Sequence, residues 1–431
     1  MTAAREQQAG AARTVRRSLS WTLFGELIFA ACQWLSLMVV AKLGSPEALG
    51  RYSLGLAVAT PIFVLANLHL RPVYVVTVRD DPQIGRARRL FAHYFGLRLA
   101  LLPPALLAVA AFCLLRGWPM ATVMVVVLVG LIRASDSASD ILYARAQRAE
   151  TMTSMGISRA LRGLLWIGLL AAGLLAGGDE GAALALVAAA LMLFTVIYDL
   201  RSAARIPEGD GGGEGWASVR PRFDREPLLA IAGHALPMGI AAALLGFTVN
   251  VPAYVLEGSH GLEEVGFFAA VLSILQASGV VNLALGNAAI PRLARLAVDD
   301  ARGFWRLLAG LLALVAALNG LGLLLVLWVG DLYLRLAYTP DYVVYQPQLV
   351  LAAVAAVVVG LANMLSQTLT ALSRFRAQLW INIAGLVFSI SFALWWIPGR
   401  GVNGAIDTLL VLAGFRLVVY VLANLFFGPR R

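Results

Sequence analysis

Residues 119–162 read PMATVMVVVLVGLIRASDSASDILYARAQRAETMTSMGISRALR. The run is apolar up to Ile132. At ~1.5 Å rise per residue, Arg133 would lie ~21 Å from Pro119, too deep for its side chain to return to the water it left. Positions 133, 136, 137 and 140 share one helical face, so Arg133, Asp136 and Asp140 would stand side by side. Ionisable groups at membrane depth are costly unless they face a bundle interior or a wet cavity. The stretch therefore predicts a transport pathway or, if the membrane ends near Arg133, a charge cluster among headgroups. The depth of Arg133 favours the pathway.

Working outward, 60% of the residues are hydrophobic, 13% are charged and mean hydropathy is +0.80, values that define an integral membrane protein. Apolar runs near 20 residues recur along the chain, at 19–41, 52–76, 90–115, 119–142, 157–176 and 181–200, then at 228–256, 264–290, 304–329, 348–371, 378–397 and 402–427. Between the two sets lies RSAARIPEGDGGGEGWASVRPRFDREP at 201–227, whose Gly, Pro and charge mark a linker. The expected organisation is a 1–18 N-terminal segment, a 19–200 six-helix lobe, the 201–227 linker, a 228–427 six-helix lobe and a 428–431 tail. Arg16-Arg17 and the FAAC at 29–32 faintly resemble secretion signals, but the apolar run continues to Lys42, as an uncleaved first helix does.

The formal charge of +10 points to topology here and away from nucleic acid, because the basic residues alternate between loops. Loops on the N-terminal side hold 26 Lys or Arg and the opposite loops hold 5, which predicts cytoplasmic termini. Cys32 and Cys113 fall inside spans and give no disulfide framework; His69, His93, His234 and His260 lack metal-ligand spacing. Glu26, about two turns into the first helix, is a proton or cation site or the buried partner of an arginine.

The lobes echo each other. LGSPEALGRYSLGLAV at 43–58 corresponds to EGSHGLEEVGFFAAVL at 257–272, and Asp80-Asp81 follows Gly50 by 30 residues where Asp299-Asp300 follows Gly266 by 33. Six helices per lobe is an even number, so the repeats are parallel and enclose a central cavity about an axis along the membrane normal.

Four pieces carry a family resemblance: GRYSLGLAVATPIFVLANLHLR at 50–71, the R-x-x-D-S-x-S-D-x-x-Y-x-x-x-Q-x-x-E-x-M run from Arg133 to Met152, LPMGIAAALLGFTVNVPAYVLE at 236–257, and GFFAAVLSILQASGVVNLALGNAAIPRLARL at 266–296. The sequence resembles the Wzx-type polysaccharide flippases of the multidrug, oligosaccharidyl-lipid and polysaccharide exporter superfamily. It departs from them in opening the fourth-helix motif with arginine instead of lysine, in Asp136 for glutamate, and in Asn287 for glutamine.

The resemblance implies an all-α protein of twelve transmembrane helices that moves a polyprenyl-diphosphate-linked oligosaccharide from the cytoplasmic to the periplasmic leaflet of a bacterial inner membrane. Partners would be that lipid, the membrane lipids, and the polymerase and glycosyltransferases of polysaccharide synthesis. Arginine suits a diphosphate because its fork makes paired, charge-assisted bonds, which selects Arg98, Arg133 and Arg416. Asn250 and Asn363, with Asn282, Asn319, Gln367 and Asn382, would meet sugars or else bond between helices. Glu26, Asp136 and Asp140 would couple transport to H+ or Na+, with no other cofactor. A multidrug or cation antiporter shares the architecture but would want an acidic, arginine-poor cavity. An enzyme is the weakest reading, since the external loops are short and no phosphate loop, metal cluster or nucleophile triad is present.

Overall fold

The computed structural model describes residues 2–76, 90–206 and 215–429. Asp80 and Asp81, the arginines between 79 and 89, residues 207–214 of the linker, and Arg430 and Arg431 lie outside the described residues, as does the Asn287 side chain. Among the described residues every regular element is helical, and twelve stretches are long and apolar enough to cross a bilayer. Helices satisfy their own backbone groups, as a chain in hydrocarbon requires. The all-α expectation with six helices per repeat holds.

The first repeat comprises α1 (Thr2–Leu43), α2 (Pro46–Asn67), α3 (Leu70–Val76), α4 (Phe91–Leu115), α5 (Met120–Arg148), α6 (Thr153–Leu175), α7 (Glu180–Phe194), a π-helical turn at Thr195–Leu200, and α8 (Arg201–Ala204). A 3-10 turn, Gly215–Val219, leads to α9 (Arg225–His260), α10 (Leu262–Asp299), α11 (Ala301–Ala337), α12 (Gln346–Ala371), α13 (Phe375–Trp396) and α14 (Gly401–Phe427). Two departures from the expected spans matter. The second span starts at Pro46 and breaks where Leu68 and His69 take positive φ, 48° and 51°, which turns Arg71 back into the bundle. The helices around 142–157 also extend toward each other, so Arg145, Arg159 and Arg162, expected in a cytoplasmic loop, stand on α5 and α6.

The chain divides into two compact units, Met1–Leu43 with Gly55–Ala243, and Gly44–Leu54 with Leu244–Arg431. In the first, α1 and α6 run parallel at close quarters. Thr22 donates to the Met152 carbonyl at 3.4 Å, Gly25 abuts Gly156, Glu26 meets Arg159, and Phe29 packs edge-on against Trp166 at 6.3 Å. Small residues at such crossings let backbones approach, the usual basis of helix pairing without a hydrophobic drive.

In the second unit the two sequence echoes touch reciprocally. A Cβ on Gly50 would strike the Leu262 carbonyl, and a Cβ on Gly266 would strike the Pro46 carbonyl, with the Gly50 amide nitrogen only 3.2 Å away. Reciprocity of this kind is what a two-fold relation between repeats produces. Gly50→Ala or Gly266→Ala forces backbones apart, with an expected cost of about 1–3 kcal/mol for overpacking. The check is the thermal unfolding midpoint in detergent. A midpoint unchanged in both variants would refute the close approach.

Candidate functional site

The polar groups of the first unit form one network built on α5. Its residues 133, 136, 140, 143 and 147 recur at helical spacing and face α3, α4 and α6. Asp140 is bracketed by two arginines: Arg71 Nη1 at 3.2 Å and Arg98 Nη2 at 3.4 Å. Arg98 is fully buried and also donates to Asn67 and to Ser137 Oγ at 3.2 Å; Arg71 reaches Gln147 Oε1 at 2.9 Å. Arg98, at a depth near that of Glu26 in the sequence reading, is an available arginine for that carboxylate. The structure pairs them otherwise: Arg98 meets Asp140, and Glu26 accepts from Arg159 Nε at 2.9 Å.

Arg162, also fully buried, is held from α5 and from the π-turn. It donates to Asp136 Oδ1 at 2.8 Å, Ser135 Oγ at 2.8 Å, Ser139 Oγ at 2.9 Å, Thr195 Oγ1 at 2.8 Å and Asp199 Oδ2 at 3.3 Å. Asp199 in turn accepts from Ser139 at 2.6 Å and from Ser158, whose hydroxyl lies 2.7 Å from that of Tyr143. The π-turn points Thr195 and Asp199 inward together, since one extra residue per turn re-aims side chains inside a helix. Arg133 lies 3.5 Å from Asp136 and 5.7 Å from the Trp166 ring centroid. Five guanidinium groups (Arg71, Arg98, Arg133, Arg159, Arg162) thus face four carboxylates (Glu26, Asp136, Asp140, Asp199), and each of those carboxylates is engaged by arginine.

Sequence reasoning missed Arg71, Arg159, Arg162 and Asp199. The first three were counted as loop charges, and Asp199 sits at a span end. The available signal was Ser135 and Ser139, four apart on one face of α5, because buried hydroxyls at helical spacing need a shared polar partner.

The second unit is different. Arg416 on α14 is 6% exposed, its guanidinium carbon lies 5.6 Å from the Tyr420 ring centroid, and among the described residues no carboxylate or hydrogen-bond acceptor engages it. A structural explanation for Arg416 would have paired it with Asp136, but Asp136 is taken by Arg162 and Arg133. The register of α12 on α14 fixes its depth. Gln348 bonds Asn403 with a separation of 55 residues, and Thr368 bonds Asn424 with a separation of 56. Arg416 is thereby level with Gly360, ~20 Å along α14 from Asn403.

That level is polar on the neighbouring helices. Asn282 and Asn319 exchange amide bonds at 3.0 and 3.5 Å, and both amides would meet a Cβ on Gly360. Tyr420 donates to Asn382 at 3.2 Å. Asn363 is half-buried with no hydrogen-bond partner among the described residues, whereas Asn250 donates back to its own helix at the Gly246 carbonyl, 2.8 Å away. Interhelical or intrahelical bonds thus account for Asn250, Asn282 and Asn319; Arg416 and Asn363 remain unspent.

The fold is that of a multi-pass membrane protein of twelve spanning helices, and its interior in the first unit is charged. A multidrug resistance MATE family transporter of the MOP superfamily superposes with a TM-score of 0.74 at 14% identity, covering 93% of each chain. The Vibrio cholerae MATE transporter VcmN gives 0.61 at 14% identity, over 97% of this chain and 98% of its own. Among relatives by sequence, the capsular polysaccharide biosynthesis protein CapF of Staphylococcus aureus is 22% identical over 407 residues, 94% of this chain and 98% of CapF. No family model matches the chain. The resemblance to polysaccharide flippases of this superfamily is borne out by the structural and sequence likenesses together.

Proposed function

We propose that the chain flips a polyprenyl-diphosphate-linked oligosaccharide across a bacterial cytoplasmic membrane, both termini facing the cytoplasm, in a pathway shared with glycosyltransferases and a polysaccharide polymerase. A diphosphate and its sugars cannot cross hydrocarbon unaided, while the lipid tail stays in the bilayer, so the protein must enclose only the head. The observation that carries the reading is Arg416, a deep cation with no protein anion among the described residues, together with the unspent amide of Asn363. An antiporter of organic cations has the same fold in its favour. It would need an unpaired carboxylate, and those of the first-unit network are engaged by arginine.

The test is reconstitution of the purified chain in vesicles loaded with a fluorescent polyprenyl-diphosphate oligosaccharide. Accelerated arrival of label in the opposite leaflet is the expected result. Transport of a cationic dye without any flipping of the lipid would replace this reading with the antiporter.

Coupling to H+ or Na+ is assigned to Glu26, Asp136 and Asp140. Their side chains are 39%, 14% and 29% exposed, so Glu26 and Asp140 are the better placed to trade an arginine for an ion as the cycle turns. At least one of Glu26→Gln, Asp136→Asn and Asp140→Asn is expected to change the pH or sodium dependence of flipping. Unaltered dependence in all three removes these residues from coupling.

A further inference from the structure

The first unit contains a cavity of about 570 Å3 beside the charge network. Helices α4 and α7 each pack along α5 and leave a gap between them. Ala134 and Ala138 of α5 form its floor, while Leu99 of α4 and Val196 of the π-turn form opposite walls. The floor also shows Ser135 and Thr195, but their hydroxyls are committed: both accept from Arg162, and Thr195 donates to the Leu191 carbonyl at 2.9 Å. Among the described residues no other polar side chain lines its interior to replace the water that a sugar or an ion would shed.

The outer rim faces hydrocarbon, since Val196, Ile197 and Leu193 are all more than half exposed on a membrane-spanning helix. One end is roofed by the linker. The 215–222 segment folds back beneath α4 and α5, with Ser218 Oγ accepting from Arg145 at 2.8 Å, Val219 buried, and the Arg222 amide donating to the Ala92 carbonyl at 2.9 Å. That roof sets Trp216 and Arg220 at the mouth. Trp216 is exposed, as an interfacial tryptophan is. Arg220 is exposed with no ion-pair partner among the described residues, and it stands at the end of the bundle where the basic loops gather.

We infer that this cavity binds an anionic phospholipid of the surrounding bilayer, its acyl chain lying between α4 and α7 and its phosphate against Arg220. The volume suits a ligand pocket, normally about 300–1,000 Å3. Its contents must be apolar, its access is from the lipid side, and Arg220, the charged residue at its mouth among those described, is complementary to phosphate and to the anionic cytoplasmic leaflet. A lipid seated there would fill the gap beside Arg162 and hold the linker roof in place.

The test extracts the full chain in mild detergent from membranes of phosphatidylethanolamine, phosphatidylglycerol and a polyprenyl phosphate and weighs the retained lipid by native mass spectrometry. The parent is expected to retain phosphatidylglycerol in preference. Arg220→Glu should remove that preference, and Ala138→Trp, which fills the floor, should lower retention of either lipid at least tenfold. Should Ala138→Trp fail to fold, Leu99→Trp at the wall is read in its place. Equal retention of the two lipids by the parent overturns the inference. So does retention of phosphatidylglycerol that neither Arg220→Glu nor the filling variant alters, or retention of a polyprenyl phosphate in place of phospholipid.

Discussion

Replacing Arg416 with glutamine is expected to leave the protein at parental abundance and to lower flipping of the lipid-linked oligosaccharide by about ten- to a hundredfold, the worth of charge-assisted bonds to a bound anion. Arg416 lacks an anionic partner among the described residues. A buried arginine paired with a carboxylate leaves an orphan charge when removed, and stability falls. Among the described residues Arg416 has only the Tyr420 ring, so its loss strands nothing. Removing an uncompensated cation from mid-helix relieves a desolvation cost, and the thermal midpoint of Arg416→Gln should equal or exceed the parent's. Arg416→Lys should recover part of the rate, because the charge returns without the planar fork. Flipping in reconstituted vesicles is the measurement. An abundant Arg416→Gln protein that flips as fast as the parent would exclude Arg416 from the substrate site.

The opposite outcome is expected at Arg162. Arg162→Leu leaves Asp199, 1% exposed, with hydroxyl partners alone, and frees Asp136 to depend on Arg133 at 3.5 Å. Breaking a buried pair from one side costs about 3–5 kcal/mol, enough to empty the membrane of folded protein. The double variant Arg162→Leu with Asp199→Leu replaces the pair by apolar groups and should regain most of that loss, since an ion pair and a well-packed hydrophobic pair are nearly equivalent once desolvation is counted. Membrane abundance and thermal midpoint across the three variants give the coupling. If Arg162→Leu is as stable as the parent, the network does not support the fold as described.

Arg162 and Arg416 show where the sequence was legible. For Arg416, distance along one helix settled the matter: with ~30 Å of hydrocarbon to cross and no water within reach at either end, its depth followed from counting residues. The same counting gave the twelve helices and the repeat, because apolar length and glycine spacing are local properties. Arg162 was illegible for the complementary reason. It lies near a span end, where positive charge is ordinary, and its burial depends on Ser135 and Ser139 of α5, on Thr195, and on the π-turn that aims Asp199.

Partner choice behaves the same way. Glu26 was read as an ion site or an arginine's partner, and only the parallel packing of α1 on α6 selects Arg159. Asp140 was placed on the right face of α5, but its two arginines come from the turn at Leu68–His69 and from α4. The sequence by itself thus determined that this is a helical membrane protein of two six-helix repeats with arginines at depth, since hydropathy and helical rise act residue by residue. Only the tertiary structure decided which charges neutralise one another and which, like Arg416 among the described residues, stay unspent, because an ion pair is set by the meeting of separate helices and no single helix carries that information.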